Sequence, residues 1–290
     1  MGETTLIPRR FMKPLHLTTI AMILFSSCTS VKSTYTNEVE QEIRVNAVES
    51  GKAITEVDIA HLPTPVQNHL RACGFINKPM PLNGRITWAN VQFKMSPEKQ
   101  WIPIKCLQFN SVKQPARFAY LYAPKLGVNI SVGRDKYQNG EGNMLIKLLG
   151  ILTLQNVKGK EMDESSLVTI LSEALFVPGY ALQPYIKWEP VDLTSAKASI
   201  EYNGISVSGT YFFNSQGLFD RFESNDRNMQ DKDSSIKVKW SVTVDYYKKN
   251  GDYTIPGYAK ATWHLPAGDY EYFKGEVAGI TFNEQPIAIP

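Results

Sequence analysis

The sequence predicts a mainly β (α+β) fold, a large curved antiparallel sheet or half-barrel with one or two covering helices. Three observations predict it. Asn-Gly occurs at Asn83-Gly84, Asn139-Gly140, Asn203-Gly204 and Asn250-Gly251, and this dipeptide supplies the positive backbone angles of tight hairpin turns. Ile236, Val238, Trp240, Val242, Val244 and Tyr246 alternate with polar residues, the period of a strand with one wet and one buried face. Helical periodicity is confined to short stretches, near residues 64–73 and 163–175.

In chain order, Arg9, Arg10 and Lys13 precede an apolar run, Leu15 to Phe25, that enters Ser26-Ser27-Cys28. A basic start, a short apolar segment and small residues before a cut site describe a secretory signal over residues 1–27. The run is far short of the ~20 apolar residues a membrane-spanning helix needs. Phe25-Ser26-Ser27-Cys28 resembles the bacterial lipobox, which implies cleavage before Cys28 and lipidation of its thiol. The expected partner of this end is a membrane, reached through the lipid anchor. Thr29 is not the Asp that resembles an inner-membrane retention signal, and no acidic run follows. The outer membrane facing the periplasm is therefore the expected location.

Residues 28–54 read as a polar tether with room for a short helix, and residues 55–290 as a single β-rich domain. A helix follows at Thr64-Pro65-Val66 and stops at Gly74, with Val66, Leu70 and Cys73 on its buried face. Strands are expected near 85–95, 102–112, 116–123, 127–138, 208–214, 217–224, 257–265 and 270–282, with a hairpin at 198–208 turning on Asn203-Gly204. Leu167, Ile170, Leu171, Ala174 and Leu175 repeat at helical spacing until Pro178-Gly179. Met144 to Leu154 is apolar on both faces of a strand. Either the helix and core cover both, or the face carrying Met144, Ile146 and Leu148 lines an apolar cavity.

Composition narrows the function classes. Of 290 residues, 43% are hydrophobic and 20% charged, too apolar for a disordered chain. Removing residues 1–27 takes three of 31 basic and one of 28 acidic residues, so the formal charge falls from +3 to +1. A near-neutral chain without a basic block does not fit a nucleic-acid binder. Three cysteines make neither a disulfide scaffold nor a four-cysteine zinc site. No metal or cofactor site is expected.

Several segments resemble a bacterial domain family without an assigned activity, often lipid-anchored or membrane-attached. They are Leu62-Pro63-Thr64-Pro65-Val66-Gln67, the Trp101-Ile102-Pro103 stretch leading to Gln108, Pro115-Ala116-Arg117-Phe118, and Gly140-Glu141-Gly142-Asn143-Met144. Leu171-Ser172-Glu173 with Phe176-Val177-Pro178, and Trp188-Glu189-Pro190-Val191-Asp192, continue the order. The chain is also similar to the half-barrel of periplasmic lipoprotein carriers, which implies a curved sheet around an acyl-binding cavity.

Few residues stand in a pattern that carries chemistry. Gly204-Ile205-Ser206-Val207-Ser208-Gly209 lacks the spacing and strand-to-helix setting of a serine nucleophile. Cys73 and Cys106 are candidates for pairing, which the sequence leaves open. His61, His69 and His264 read as hydrogen-bonded structural residues. Glu173 projects away from the apolar helix stripe, towards solvent or an edge, where a salt bridge or a cavity-mouth role suits it. Asp226, Arg227, Asp231, Lys232 and Asp233 read as a solvated connection. The reading that best fits is a lipid-anchored envelope protein holding a lipid or acyl chain. Tyr120, Met144, Ile146, Leu148, Leu171, Tyr211 and Trp240 are the candidate cavity residues and no residue is assigned to catalysis. An interaction protein of envelope assembly, or an envelope hydrolase with an unrecognised site, are the alternatives.

Overall fold

The computed structural model describes residues 30–46, 51–231 and 234–286. The signal segment and Cys28 lie outside the described residues. Among the described residues three helices precede the sheet: α1 (Val31–Val45), α2 (Glu56–Ile59) and α3 (Thr64–Ala72). Six strands follow as a meander: β1 (Asn83–Phe93), β2 (Ile102–Ser111), β3 (Ala116–Lys125), β4 (Val128–Gln138), β5 (Glu141–Leu148) and β6 (Leu152–Val157). Helix α4 (Lys160–Ser172) and a 3-10 turn (Pro178–Leu182) lead to β7 (Ile186–Pro190), β8 (Ser195–Tyr202), β9 (Ile205–Phe213) and β10 (Phe219–Ser224). After a small hairpin, β11 (Asn228–Asp231) and β12 (Ser234–Lys237), the chain closes with β13 (Trp240–Asn250), β14 (Tyr253–Leu265) and β15 (Gly268–Phe282).

Thirteen strands form one sheet in the order β6-β5-β4-β3-β2-β1-β15-β14-β13-β10-β9-β8-β7. Every pairing in it is antiparallel, and the β1–β15 ladder joins the two meanders. Helix α4 connects the β6 edge to the β7 edge and packs on both β5 and β9, so it crosses the inner face of the curled sheet. This is the expected antiparallel half-barrel with few helices. Gly142 makes the α4 approach possible: a Cβ there would lie 2.6 Å from both the Met162 carbonyl oxygen and Ser166 Oγ. The Gly142 N–H donates to Asp163 Oδ1 in the first turn of α4 (2.6 Å).

Local turn chemistry explains most of the agreement with the sequence. Asn139-Gly140 and Asn203-Gly204 take positive φ at both positions, and Gly251 takes φ 61°. Asn83-Gly84 instead opens β1, because Gly84 lies against Val177, whose Cγ2 would be 2.7 Å from an added Cβ. The segment Met144–Leu154 is two strands, reversed at Leu149 (φ 50°) and Gly150 (φ 72°). The long strand expected from Ile236 is broken: Ile236 pairs with Met229 in the small hairpin, and β13 begins at Trp240.

Residues 31–45, read from sequence as part of a polar tether, form a helix docked on the outer sheet face. Val31, Tyr35, Val39 and Ile43 recur every four residues, are all buried, and pack with Phe109, Phe118, Tyr120 and Val132. Burial of each such side chain is worth ~1.5–3 kcal/mol before ordering costs. Glu38 adds ion pairs to Arg134 (2.8 Å) and Lys136 (3.1 Å) on β4. The polar look of the segment comes from its solvent face. The main core lies on the inner side, where α3 and α4 meet β7–β10 and β13–β15.

Candidate functional site

The curl of the sheet and the crossing of α4 leave a cavity of about 130 Å³ on the inner face. Its apolar wall is Trp88, Phe93, Leu121, Met144, Phe176 and Phe273. That volume accommodates on the order of ten waters, or roughly 300 Å³ of displaced liquid, the lower end of small-ligand pockets. Two compartments adjoin it. An apolar one of about 90 Å³ shares Phe93, Leu121 and Met144 and continues past Ile104 and Ile146 to Met95 and Ile102. A polar one of about 130 Å³ shares Asp135, Met144, Thr169 and Arg227 and adds Ser165, Ser166 and Asn228. Met144 stands at the junction of all three.

An ion-pair network crosses the cavity wall. Arg117 Nε donates to Glu173 Oε1 (3.0 Å) and Oε2 (3.1 Å), and Nη1 donates to Asp135 Oδ2 (2.7 Å). Asn110 Nδ2 donates to Glu173 Oε2 (2.8 Å), Gln108 Nε2 to Asn110 Oδ1 (2.9 Å), and Trp88 Nε1 to Gln108 Oε1 (2.9 Å). Burial works to lower the Arg117 pKa, but Glu173 and Asp135 outweigh it and hold the guanidinium charged. All six side chains thus hold one another on the inner face. Both carboxylates are committed to Arg117, so the network reads as a rigid wall.

Glu173 departs from the sequence expectation. It is buried rather than turned to solvent, because α4 ends at Ser172 and the helical angle no longer applies to it. The salt bridge expected for it is present. Arg227, expected in a solvated connection, instead reaches inward. Its guanidinium lies 4.3 Å from the Trp240 ring, and Nη1 donates to the Ser165 carbonyl (2.9 Å) and to Thr169 Oγ1.

Of the candidate cavity residues, Met144 and Trp240 line the main cavity and Ile146 the apolar compartment. Leu148 continues on the same face of β5, beyond these linings. The structure does not bring in the others. Tyr120 lies on the outer face beside Tyr35, ring centroids 5.9 Å apart, under α1. Leu171 and Tyr211 are wholly buried in the main core, joined by a hydrogen bond from the Tyr211 hydroxyl to the Leu171 carbonyl. Sequence periodicity finds buried faces, but it does not distinguish a face packed on core from one facing a void. Arg117, Asp135, Trp88, Phe93 and Phe273 were missed for that reason. One signal was available: the segments carrying the family resemblance place Gln108, Arg117, Met144, Glu173 and Phe176 on this one cavity.

The remaining sequence candidates are structural. His69 is buried, and its Nδ1 accepts from the Phe219 N–H (3.0 Å). His264 bonds Ser241 Oγ (2.9 Å) and Asp269 (2.8 Å). Cys73 and Cys106 are both free and buried, in different clusters, and burial pushes each thiol up to about 12. That is the wrong direction for a thiolate nucleophile in the cavity wall.

A second feature lies at the apolar end. Phe93 pairs with Ile102, Lys125 with Val128 and Leu148 with Leu152, so three hairpin tips sit side by side at one end of the sheet. Met95, Leu126, Val128, Leu149, Ile151 and Leu152 are exposed there, Leu126 by 96% and Ile151 by 79%. Among the described residues no helix is long and apolar enough to cross a membrane.

No curated protein matches the chain. Three solved structures show a distant likeness to the chain. A LolA superfamily protein from Nitrosomonas europaea gives a TM-score of 0.42 at 9% identity, over 76% of this chain and 94% of that one. An outer membrane lipoprotein-sorting protein domain from Vibrio parahaemolyticus gives 0.39 at 12% identity, over 75% and 90%. A DUF1329 family protein from Desulfovibrio piger gives 0.40 at 9% identity, over 76% and 93%. Residues 52–275 match DUF6544, described as a family of unknown function, and span the whole inner-face site and all of its sheet but the end of β15. The chain belongs to the DUF6544 family.

Proposed function

We propose that this protein binds the hydrocarbon chain of a lipid in the inner-face cavity and works at a bacterial envelope membrane, anchored through Cys28. The observation that carries the reading is the continuity of the apolar lining. It runs from Trp88 and Phe273 past Met144 to Ile104, Ile146 and the Met95–Ile102 edge, beside the exposed hairpin tips. Water gains little in such a lining, and an acyl chain gains roughly 0.8 kcal/mol per methylene buried. Exposed apolar groups clustered at one end fit a lipid surface next to the cavity mouth. The basic, apolar and small-residue pattern ending at Cys28 supports secretion and anchoring.

The test is native mass spectrometry of a form starting at Ser30, which keeps α1 whole, exported and purified without detergent. The expected result is a discrete added mass that organic extraction removes. A clean apo mass after exposure to an envelope lipid extract contradicts the proposal. In the full chain, Cys28→Ala is expected to move the protein from the membrane fraction to the soluble one; unchanged membrane retention contradicts the anchor. The exposed tips also favour a second reading, a protein partner seated on them, which predicts partner capture but no binding to vesicles.

A further inference from the structure

We infer that Arg227 holds the acidic head of the bound amphiphile, a carboxylate or phosphate oxyanion, in the polar compartment, while the tail runs past Met144 into the apolar one. This rests on the lipid-binding reading and names the class of lipid.

The first ground is an exception in the charge pairing. Arg44, Arg71, Arg85, Arg117, Arg134 and Arg221 each have a carboxylate within 4.0 Å. Arg227 has none among the described residues. Of the acids nearby, Asp226 and Glu164 pair with Lys237 and Asp135 with Arg117 at 2.7 Å, while Glu161, which also lines the polar compartment, is exposed to solvent. Both of its hydrogen bonds leave from Nη1, and Nε is buried with no partner. A guanidinium so placed keeps donor capacity in the fork geometry that matches carboxylate and phosphate.

The second ground is position. Arg227 lines both the main cavity and the polar compartment, with its plane carbon 4.3 Å from the Trp240 ring and 5.5 Å from the Trp263 ring. Those rings stabilise the cation and fix it, but they accept no hydrogen bond from its edge. Ser166, in the same compartment, has a buried hydroxyl without a partner, a second unused donor. The opposite compartment is walled by Ile102, Ile104, Leu121 and Ile146. A cavity with spare donors at one end and aliphatic walls at the other is the complement of an amphiphile with an oxyanion head.

Calorimetric titration of the form starting at Ser30 with dodecanoate, dodecyl phosphate and dodecanol tests this, since the three share one tail. The expected result is binding of at least one anion about tenfold or more tighter than dodecanol, with the ratio between the two anions naming the head. In Arg227→Gln that preference is expected to fall to near unity while dodecanol affinity is retained, which a folding defect would not produce. Equal binding of all three by the wild type overturns the head assignment and leaves the cavity reading standing. A preference that survives in Arg227→Gln also overturns it. Failure of all three to bind overturns the cavity reading and the head assignment together.

Discussion

Deleting the Arg117 guanidinium tests the buried network that walls the cavity. Arg117→Met keeps the bulk of the aliphatic stem and leaves Glu173 and Asp135, whose side chains are 12% and 18% exposed, without their shared cation. Removing one member of a buried ion pair costs about 3–5 kcal/mol, mostly from the charge left behind. Glu173→Gln is milder, about 2–3 kcal/mol, because Arg117 keeps Asp135 and the new amide still meets Asn110. The three groups act as a unit, so the double variant is expected to lose at least 1 kcal/mol less than the sum of the single losses. Urea unfolding followed by tryptophan fluorescence measures all four proteins, Trp88 being tied to the network through Gln108. For a domain of this size the Arg117→Met loss corresponds to a fall in Tm of roughly 10 °C. Losses that add to within about 0.5 kcal/mol, or an Arg117→Met loss below that of Glu173→Gln, would refute the reasoning.

Other outcomes follow from single residues. Burial holds His69 at about 4, against 6.5 in the unfolded chain, with backbone hydrogen bonds offsetting only part of the shift. The unfolded state therefore takes up the proton first, and about 3 kcal/mol of stability is expected to disappear as pH falls from 6.5 towards 4. A His69→Gln variant is expected to lose that slope, and urea titrations at stepped pH check it. Met144→Trp, at the junction of the three compartments, is expected to weaken lipid binding at least tenfold, and unchanged binding would remove Met144 from the ligand path. Leu126→Ser with Ile151→Ser is expected to lower flotation with phospholipid vesicles while changing stability by no more than about 0.5 kcal/mol per site, since both side chains are exposed. Undiminished flotation would detach the hairpin tips from membrane contact.

The fold was largely legible because its determinants are local. Asn203-Gly204 specifies its hairpin, Gly74 stops α3 with φ 79°, and alternation along β13–β15 marks the buried face. What stayed hidden depends on distant partners. Val31, Tyr35, Val39 and Ile43 become a core face only because β2–β4 offer Phe109, Phe118 and Val132 across the chain. The β5–β6 reversal puts Leu149, a residue that rarely takes positive φ, beside Gly150, and a single glycine in an apolar run does not mark a hairpin in the sequence. The site was legible in three aliphatic and aromatic residues, Met144, Ile146 and Trp240. Its charged members were not, since Arg117, Asp135 and Glu173 lie 18 to 56 positions apart and meet only through the curl of the sheet. Arg227 was the most deceptive, as a run of alternating charges looks solvated until Trp240 is placed beneath it.

Photo-crosslinking with a fatty acid carrying a diazirine near its tail, followed by peptide mapping, tests the central claim most directly. Label is expected on Phe93, Leu121, Met144 and Ile146, reduced by Met144→Trp and competed by unlabelled fatty acid. Label confined to Leu126, Leu149 and Ile151 at the exposed tips, and insensitive to Met144→Trp, would contradict it.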